Sequence, residues 1–147
     1  MTKKPIKPPI WFWIIAVMAV LWSLIGLYDY VMSMTMNQAY LASFGQEMLD
    51  FLKVMPIWAK LSWGLAIAGS VLGSLALVLR RSIAYPLFAL TIVVMAISFA
   101  YQFTIDAKPK PDTAMLIMTV LIWAIAIFLV WFARTAKNKG AVLDNAD

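Results

Sequence analysis

The sequence contains no histidine and no cysteine, and only 13% of its 147 residues are charged. Without cysteine there is no disulfide, no thiolate nucleophile and no thiol-ligated cluster, and cysteine usage gives no signal of redox compartment. Without histidine there is no Ser-His-Asp catalysis, no ordinary haem attachment and none of the commonest zinc or non-haem iron sites. A soluble domain usually carries about 25% charged residues. The apolar share here is 64%. So little polar surface does not cover a water-soluble globule, whereas lipid faces apolar side chains directly.

What is present is a series of long apolar runs. The first follows a basic, Pro-rich tail at residues 1–9 and is placed at residues 10–31, close to the ~20 residues a spanning helix needs. Lys3, Lys4 and Lys7 look like the front of a signal peptide. The run is too long for such a peptide's core and no small-x-small cleavage site follows, so a retained anchor is expected. The second span is placed at 57–79 and closed by Arg80 and Arg81. The third is placed at 83–103, with Ser82 as its cap and Pro86 in its first turn, where a missing amide is best tolerated. So short a connection makes spans two and three a tight antiparallel hairpin. The fourth is placed at 113–133, with Asp112 as N-cap and Arg134, Lys137, Lys139 and Gly140 ending the helix. The membrane domain is thus residues 10–134, followed by a loose tail at 135–147.

Between the first two spans, apolar residues fall at Leu41, Phe44, Met48, Phe51, Leu52 and Met55, on one stripe of a helix. Gln46, Glu47, Asp50 and Lys53 lie mostly on the other side. This pattern predicts an amphipathic segment over 37–55, lying on the membrane surface or over the bundle mouth and ended by Pro56. The expected fold is all-α: a four-helix transmembrane bundle with an amphipathic surface helix between spans one and two.

Charge sets the orientation. Lys3, Lys4, Lys7, Arg80, Arg81, Arg134, Lys137 and Lys139 fall on one side, against Lys53, Lys60, Lys108 and Lys110 on the other. The excess of positive charge places both termini in the cytoplasm. Aromatic residues at the span ends agree, with Trp11, Trp13, Tyr85, Trp131 and Phe132 in an inner belt and Tyr28, Tyr30, Trp58, Trp63, Tyr101 and Phe103 in an outer one.

Few positions could carry chemistry. Gly69-x-x-x-Gly73 in the second span lets helix backbones approach closely, either inside one bundle or as a homodimer face. No ionisable residue lies clearly at the midplane, where such groups are usually functional. The nearest is Asp29, flanked by Tyr28 and Tyr30. It is either an interfacial charge in water or part of an outward-facing solute or partner site. Trp22 and Trp123 stand away from span ends, and each indole N–H needs a partner. They pack between helices, or line an aromatic cavity of the kind that holds neutral ligands such as sugars. Met32, Met34 and Met36 alternate; in extended backbone their soft thioethers would point one way and suit Cu(I), but chance and packing account for them better. Glu47 and Asp50 read as the wet face of the amphipathic segment. No nucleophile–base arrangement, metal cluster, phosphate loop or nucleic-acid motif is found, so neither catalysis nor a cofactor is expected.

Several punctuation marks recur together: Lys7-Pro-Pro-Ile-Trp-Phe-Trp-Ile14, Tyr40-Leu41, Pro56-x-Trp58-Ala59, Leu79-Arg80-Arg81, Pro86-Leu-Phe88 and Val130-Trp-Phe-Ala-Arg134. In order and spacing, over roughly residues 5 to 135, the chain resembles a group of small four-span bacterial inner-membrane proteins, often labelled sugar transporters. The resemblance implies an inner-membrane location and carries no functional residues with it. Two function classes follow. One is a small accessory or structural membrane protein, partnered by the bilayer and by another membrane subunit. The other is a homo-oligomeric transporter or binding protein for a neutral solute such as a sugar.

Overall fold

The computed structural model describes residues 6–101, 104 and 113–143. The described residues form six α-helices and one 3-10 turn, in the order α1 (Ile10–Met34), α2 (Gln38–Leu41), a 3-10 turn (Ala42–Phe44), α3 (Gln46–Val54), α4 (Ile57–Val78), α5 (Ala84–Tyr101) and α6 (Thr113–Lys139). Four of them, α1, α4, α5 and α6, are long and apolar enough to cross a membrane. The expected all-α, four-span fold is borne out. The proposed cap Asp112, the belt residue Phe103 and the loop lysines Lys108 and Lys110 lie outside the described residues, as do residues 1–5 and 144–147.

Packing sorts residues by size. The buried positions are dominated by small side chains, among them Ala16, Ala19, Ala59, Gly69, Gly73 and Ser74. The large aliphatics point outward: Leu65 is 63% exposed and Val120 68%. In water this arrangement would present an apolar patch far beyond the few hundred Å² tolerated by soluble monomers. In lipid it is the expected sorting, because no hydrophobic force separates helix from tail and close backbone approach governs association. The chain is a multi-pass membrane protein.

The α4–α5 hairpin is the most closely packed pair. A Cβ built on Gly69 would stand 2.5 Å from Thr91 Oγ1, and one on Gly73 would stand 2.9 Å from the Phe88 ring. The Gly-x-x-x-Gly surface is therefore filled by α5 of the same chain, which answers to the intramolecular reading of that motif. Helix α1 lies on the other side of α4, joined by Ser23 and Ser70. Helix α6 packs on α5 and meets α1 near its start, where Phe12 stacks on Phe132 at 5.7 Å. Its buried residues are confined to Leu129, Phe132, Ala133 and Ala136.

Three helices end alike. Helices α1, α4 and α6 each close with a left-handed residue, at Met36 (φ 51°), Arg80 (φ 57°) and Gly140 (φ 75°). In each the following amide bonds back five residues: Asn37 N to Met32 O, Arg81 N to Ala76 O and Ala141 N to Ala136 O. These paired bonds satisfy carbonyls that a helix end otherwise leaves open. Only glycine enters this conformation freely; a side chain there costs on the order of 1–2 kcal/mol.

At Arg80 that strain is offset by contacts that bind three segments together. Its Nε donates to Ala141 O at 2.8 Å, and its Nη2 donates to Ile6 O at 2.8 Å. Around it, Leu143 N donates to Arg80 O, Ser82 N to Leu143 O, and Ile6 N to Gly140 O. The segment after α6 was expected to be loose. Its described part, through Leu143, is instead held to the α4–α5 turn. Ser82, expected as a side-chain cap, uses its backbone amide in this clasp, and α5 begins at Ala84.

The opposite end carries a lid. The amphipathic segment is present, but not as one helix. Asn37 Oδ1 accepts from Tyr40 N and starts α2. Gly45, at φ 82°, then turns the chain before α3. The break takes Phe44 off the expected apolar stripe and leaves it 49% exposed. Helix α3 keeps the predicted sidedness, with Phe51 and Leu52 buried and Gln46, Glu47, Asp50 and Lys53 exposed. Leu41, Phe51 and Leu52 pack with Ala59 and Tyr101, so the lid sits on the starts and ends of the spans. Tyr101 is central to it, edge-on to Trp58 at 5.5 Å and tilted against Phe51 at 6.1 Å.

Candidate functional site

Two places gather the residues singled out from the sequence. The first is in the middle of the bundle. Trp22 from α1, Ser70 from α4 and Thr91 from α5 border a small cavity, lined otherwise by apolar side chains such as Phe88, Ile122 and Leu129. Its volume is about 70 Å³. That is room for about two waters, and far below the ~300–1,000 Å³ of a small-molecule site. The hydroxyls around it are already engaged. Ser23 Oγ lies 2.9 Å from Ser70 Oγ and donates to Ala19 O at 2.8 Å. Thr91 Oγ1 donates to Leu87 O at 3.0 Å. Among the described residues no fully buried side-chain polar atom lacks a partner.

The second place is under the lid, at the end of α1. Asp29 Oδ1 accepts a hydrogen bond from Tyr40 Oη at 2.6 Å. Tyr28 meets Tyr40 edge-on at 5.6 Å, and Phe44 leans on the other side of Tyr40 at 5.2 Å. Tyr30 points elsewhere. Its ring lies over Gly64, whose missing Cβ leaves the space, and its hydroxyl donates to Lys60 O at 3.3 Å. The Tyr40 phenol is pushed well above the ordinary tyrosine range, first by burial and then by its hydrogen bond to the Asp29 carboxylate.

No family model, no curated protein and no solved structure matches this chain.

The structure brings Tyr28 and Asp29 together and adds Tyr40, which sequence reasoning missed. Eleven residues separate Asp29 from Tyr40, and no helical period links them. The left-handed turn at Met36 folds one back over the other. Trp22 belongs to the mid-bundle cavity, and Trp123 to neither place: its ring packs edge-on to Phe99 at 5.6 Å. The four candidates therefore do not form one site. Met32 and Met34 lie in the last turns of α1, and Met34 and Met36 pack against the lid cluster, so the run is not the extended strand that would align three thioethers. Among the described residues no group of three His, Cys, Asp or Glu could hold a metal.

Chemically, Asp29 and Tyr40 make a tether between the first span and the lid. Because the folded phenol holds its proton more tightly than an unfolded one, the tether's contribution is complete below the ordinary tyrosine range near pH 10 and is lost as pH rises through the higher folded value. Alkaline difference spectroscopy should find a tyrosine that ionises well above the ordinary range. Asp29→Asn should bring it part of the way back. An unchanged titration in that variant would show that the carboxylate does not hold the phenol.

Proposed function

We propose that this protein is a small accessory or structural component of the bacterial inner membrane, with both termini in the cytoplasm, which acts through what it packs against. The observation that supports this reading is the closure of its core. The small-residue faces of α4 are taken up by α5 and α1, the buried hydroxyls are paired, and the central space is about 70 Å³. At the end bearing the termini, Phe12 and Phe132 stack and the Arg80 clasp ties three segments across the mouth. A solid bundle offers its outer surface as its working part. That surface includes α6 from Thr113 to Phe128, where no residue is buried by the chain itself. Lipid and a neighbouring membrane subunit are its natural partners. No catalytic step, cofactor or nucleic acid enters this reading.

The eight Lys and Arg residues on the terminal side, against four on the other, support the cytoplasmic placement. With no native cysteine, single-cysteine labelling is clean. An impermeant maleimide applied to intact cells should modify Phe44→Cys and leave Lys139→Cys untouched; the reverse pattern would invert the topology.

A second reading, a homo-oligomer that binds a neutral solute such as a sugar, is favoured only by Trp22 standing beside Ser70 and Thr91. The seven tryptophans report on it directly. Neutral sugars should leave the tryptophan emission of the purified protein unchanged. A saturable change that disappears in Trp22→Phe would overturn the accessory reading in favour of solute binding.

A further inference from the structure

A second cavity, larger than the one in the middle of the bundle, lies away from both places described above. It opens between the start of α1 and the end of α6, measures about 240 Å³, and is walled by Pro9, Trp11, Phe12, Phe132, Thr135 and Lys139. Its wall is almost wholly apolar, and its floor is the Phe12–Phe132 pair, stacked at 5.7 Å. The rim is different. Lys139 stands exposed at the edge, with Lys7, Arg134 and Lys137 also exposed at this end of the bundle. Among the described residues no carboxylate lies at this end: Asp29, Glu47 and Asp50 are at or near the lid, while Asp144 and Asp147 fall outside the described residues. Trp11 is half exposed beside it, in the position an indole takes at the headgroup level.

An apolar crevice at the end of two membrane-spanning helices, with a cationic rim, is complementary to one kind of molecule. We infer that this crevice binds an anionic glycerophospholipid, with the first methylenes of one acyl chain against Trp11, Phe12 and Phe132 and the headgroup phosphate at Lys139. A zwitterionic lipid fits the wall equally well and carries the same phosphate, but its ammonium group is opposed by the cationic rim, so it gains less there. Free phosphate meets the lysine but leaves the apolar wall exposed. The site thus discriminates by joining the two, as juxtamembrane basic residues do for anionic leaflets.

The test uses the full chain purified in a neutral detergent and exchanged into mixed micelles holding equal amounts of phosphatidylglycerol and phosphatidylcholine. Intact-complex mass spectrometry then counts the lipids retained. One phosphatidylglycerol should be kept in preference to phosphatidylcholine, and Lys139→Glu should reduce its retention at least about five-fold. Lys139 is exposed, so this variant keeps the fold. Thr135→Trp, which fills the crevice, should reduce retention of both lipids. Millimolar inorganic phosphate should not displace the bound lipid. Equal retention of the two lipids by the unaltered protein would overturn the proposal, as would displacement by phosphate or unchanged retention in Lys139→Glu.

Discussion

Gly73→Ile is expected to destabilise the folded chain by about 3 kcal/mol or to prevent its folding, at the upper end of what overpacking a well-filled core costs. A Cβ at residue 73 would lie 2.9, 3.0 and 3.2 Å from three carbons of the Phe88 ring. That ring is 2% exposed and lies in the core cluster; the cavity of about 70 Å³ beside it does not take a whole phenyl ring, so α4 must move away from α5. Phe88→Leu in the same chain should restore part of the loss by giving the new side chain room. Thermal unfolding in detergent, read by tryptophan emission, measures both. Gly69→Ala should be milder. There the clash is with a single atom, Thr91 Oγ1 at 2.5 Å, and the hydroxyl can rotate if it gives up its bond to Leu87 O. A variant of Gly73 with unchanged stability but a smaller oligomer would mean that this face joins two chains and not two helices of one.

Arg80→Ala is expected to open the end of the molecule that carries both termini. The substitution removes hydrogen bonds to Ala141 O and Ile6 O. Bonds from a charged donor are worth about 1.5–3 kcal/mol each in protected settings, and less at a half-exposed residue such as this one. A net local loss of about 2 kcal/mol is the reasonable figure. The readout is amide exchange at Ser82 and Leu143, whose N–H groups close the clasp. Exchange there should quicken at least ten-fold, with amides in the middle of α4 unchanged. Arg80→Gly separates the two roles of this position. It loses the same side-chain bonds but relieves the left-handed backbone by about 1 kcal/mol, so it should be less damaging than alanine. Equal exchange in all three proteins would show that the guanidinium holds nothing in place.

The spans were legible in the sequence because hydropathy over twenty residues is a strong signal. Even the end of α6 was marked, by basic residues followed by Gly140. The Gly69–Gly73 surface was legible as a close approach, but not its partner, since spacing on one helix does not say which helix fills the groove. Phe88 and Thr91 answer that. Continuous apolar spacing from Leu41 to Met55 suggested one helix, because Gly45 falls between stripe positions and interrupts no period. Its positive φ is a tertiary choice. The Asp29–Tyr40 tether and the Arg80 clasp were hidden for a related reason. Each depends on a left-handed residue at a helix end, Met36 or Arg80, where sequence preference would look for glycine. In the sequence Arg80 and Arg81 read as the close of the second span and as topological charges. The first of them is also a donor to two separated backbone carbonyls, and no one-dimensional pattern encodes that.

Extraction of the protein from its own membrane in a mild detergent, followed by mass measurement of the intact complex, tests the accessory reading most directly. The expected result is this chain in fixed stoichiometry with at least one foreign membrane subunit. A homo-oligomer without foreign subunits, able to carry a neutral solute into vesicles, would contradict it.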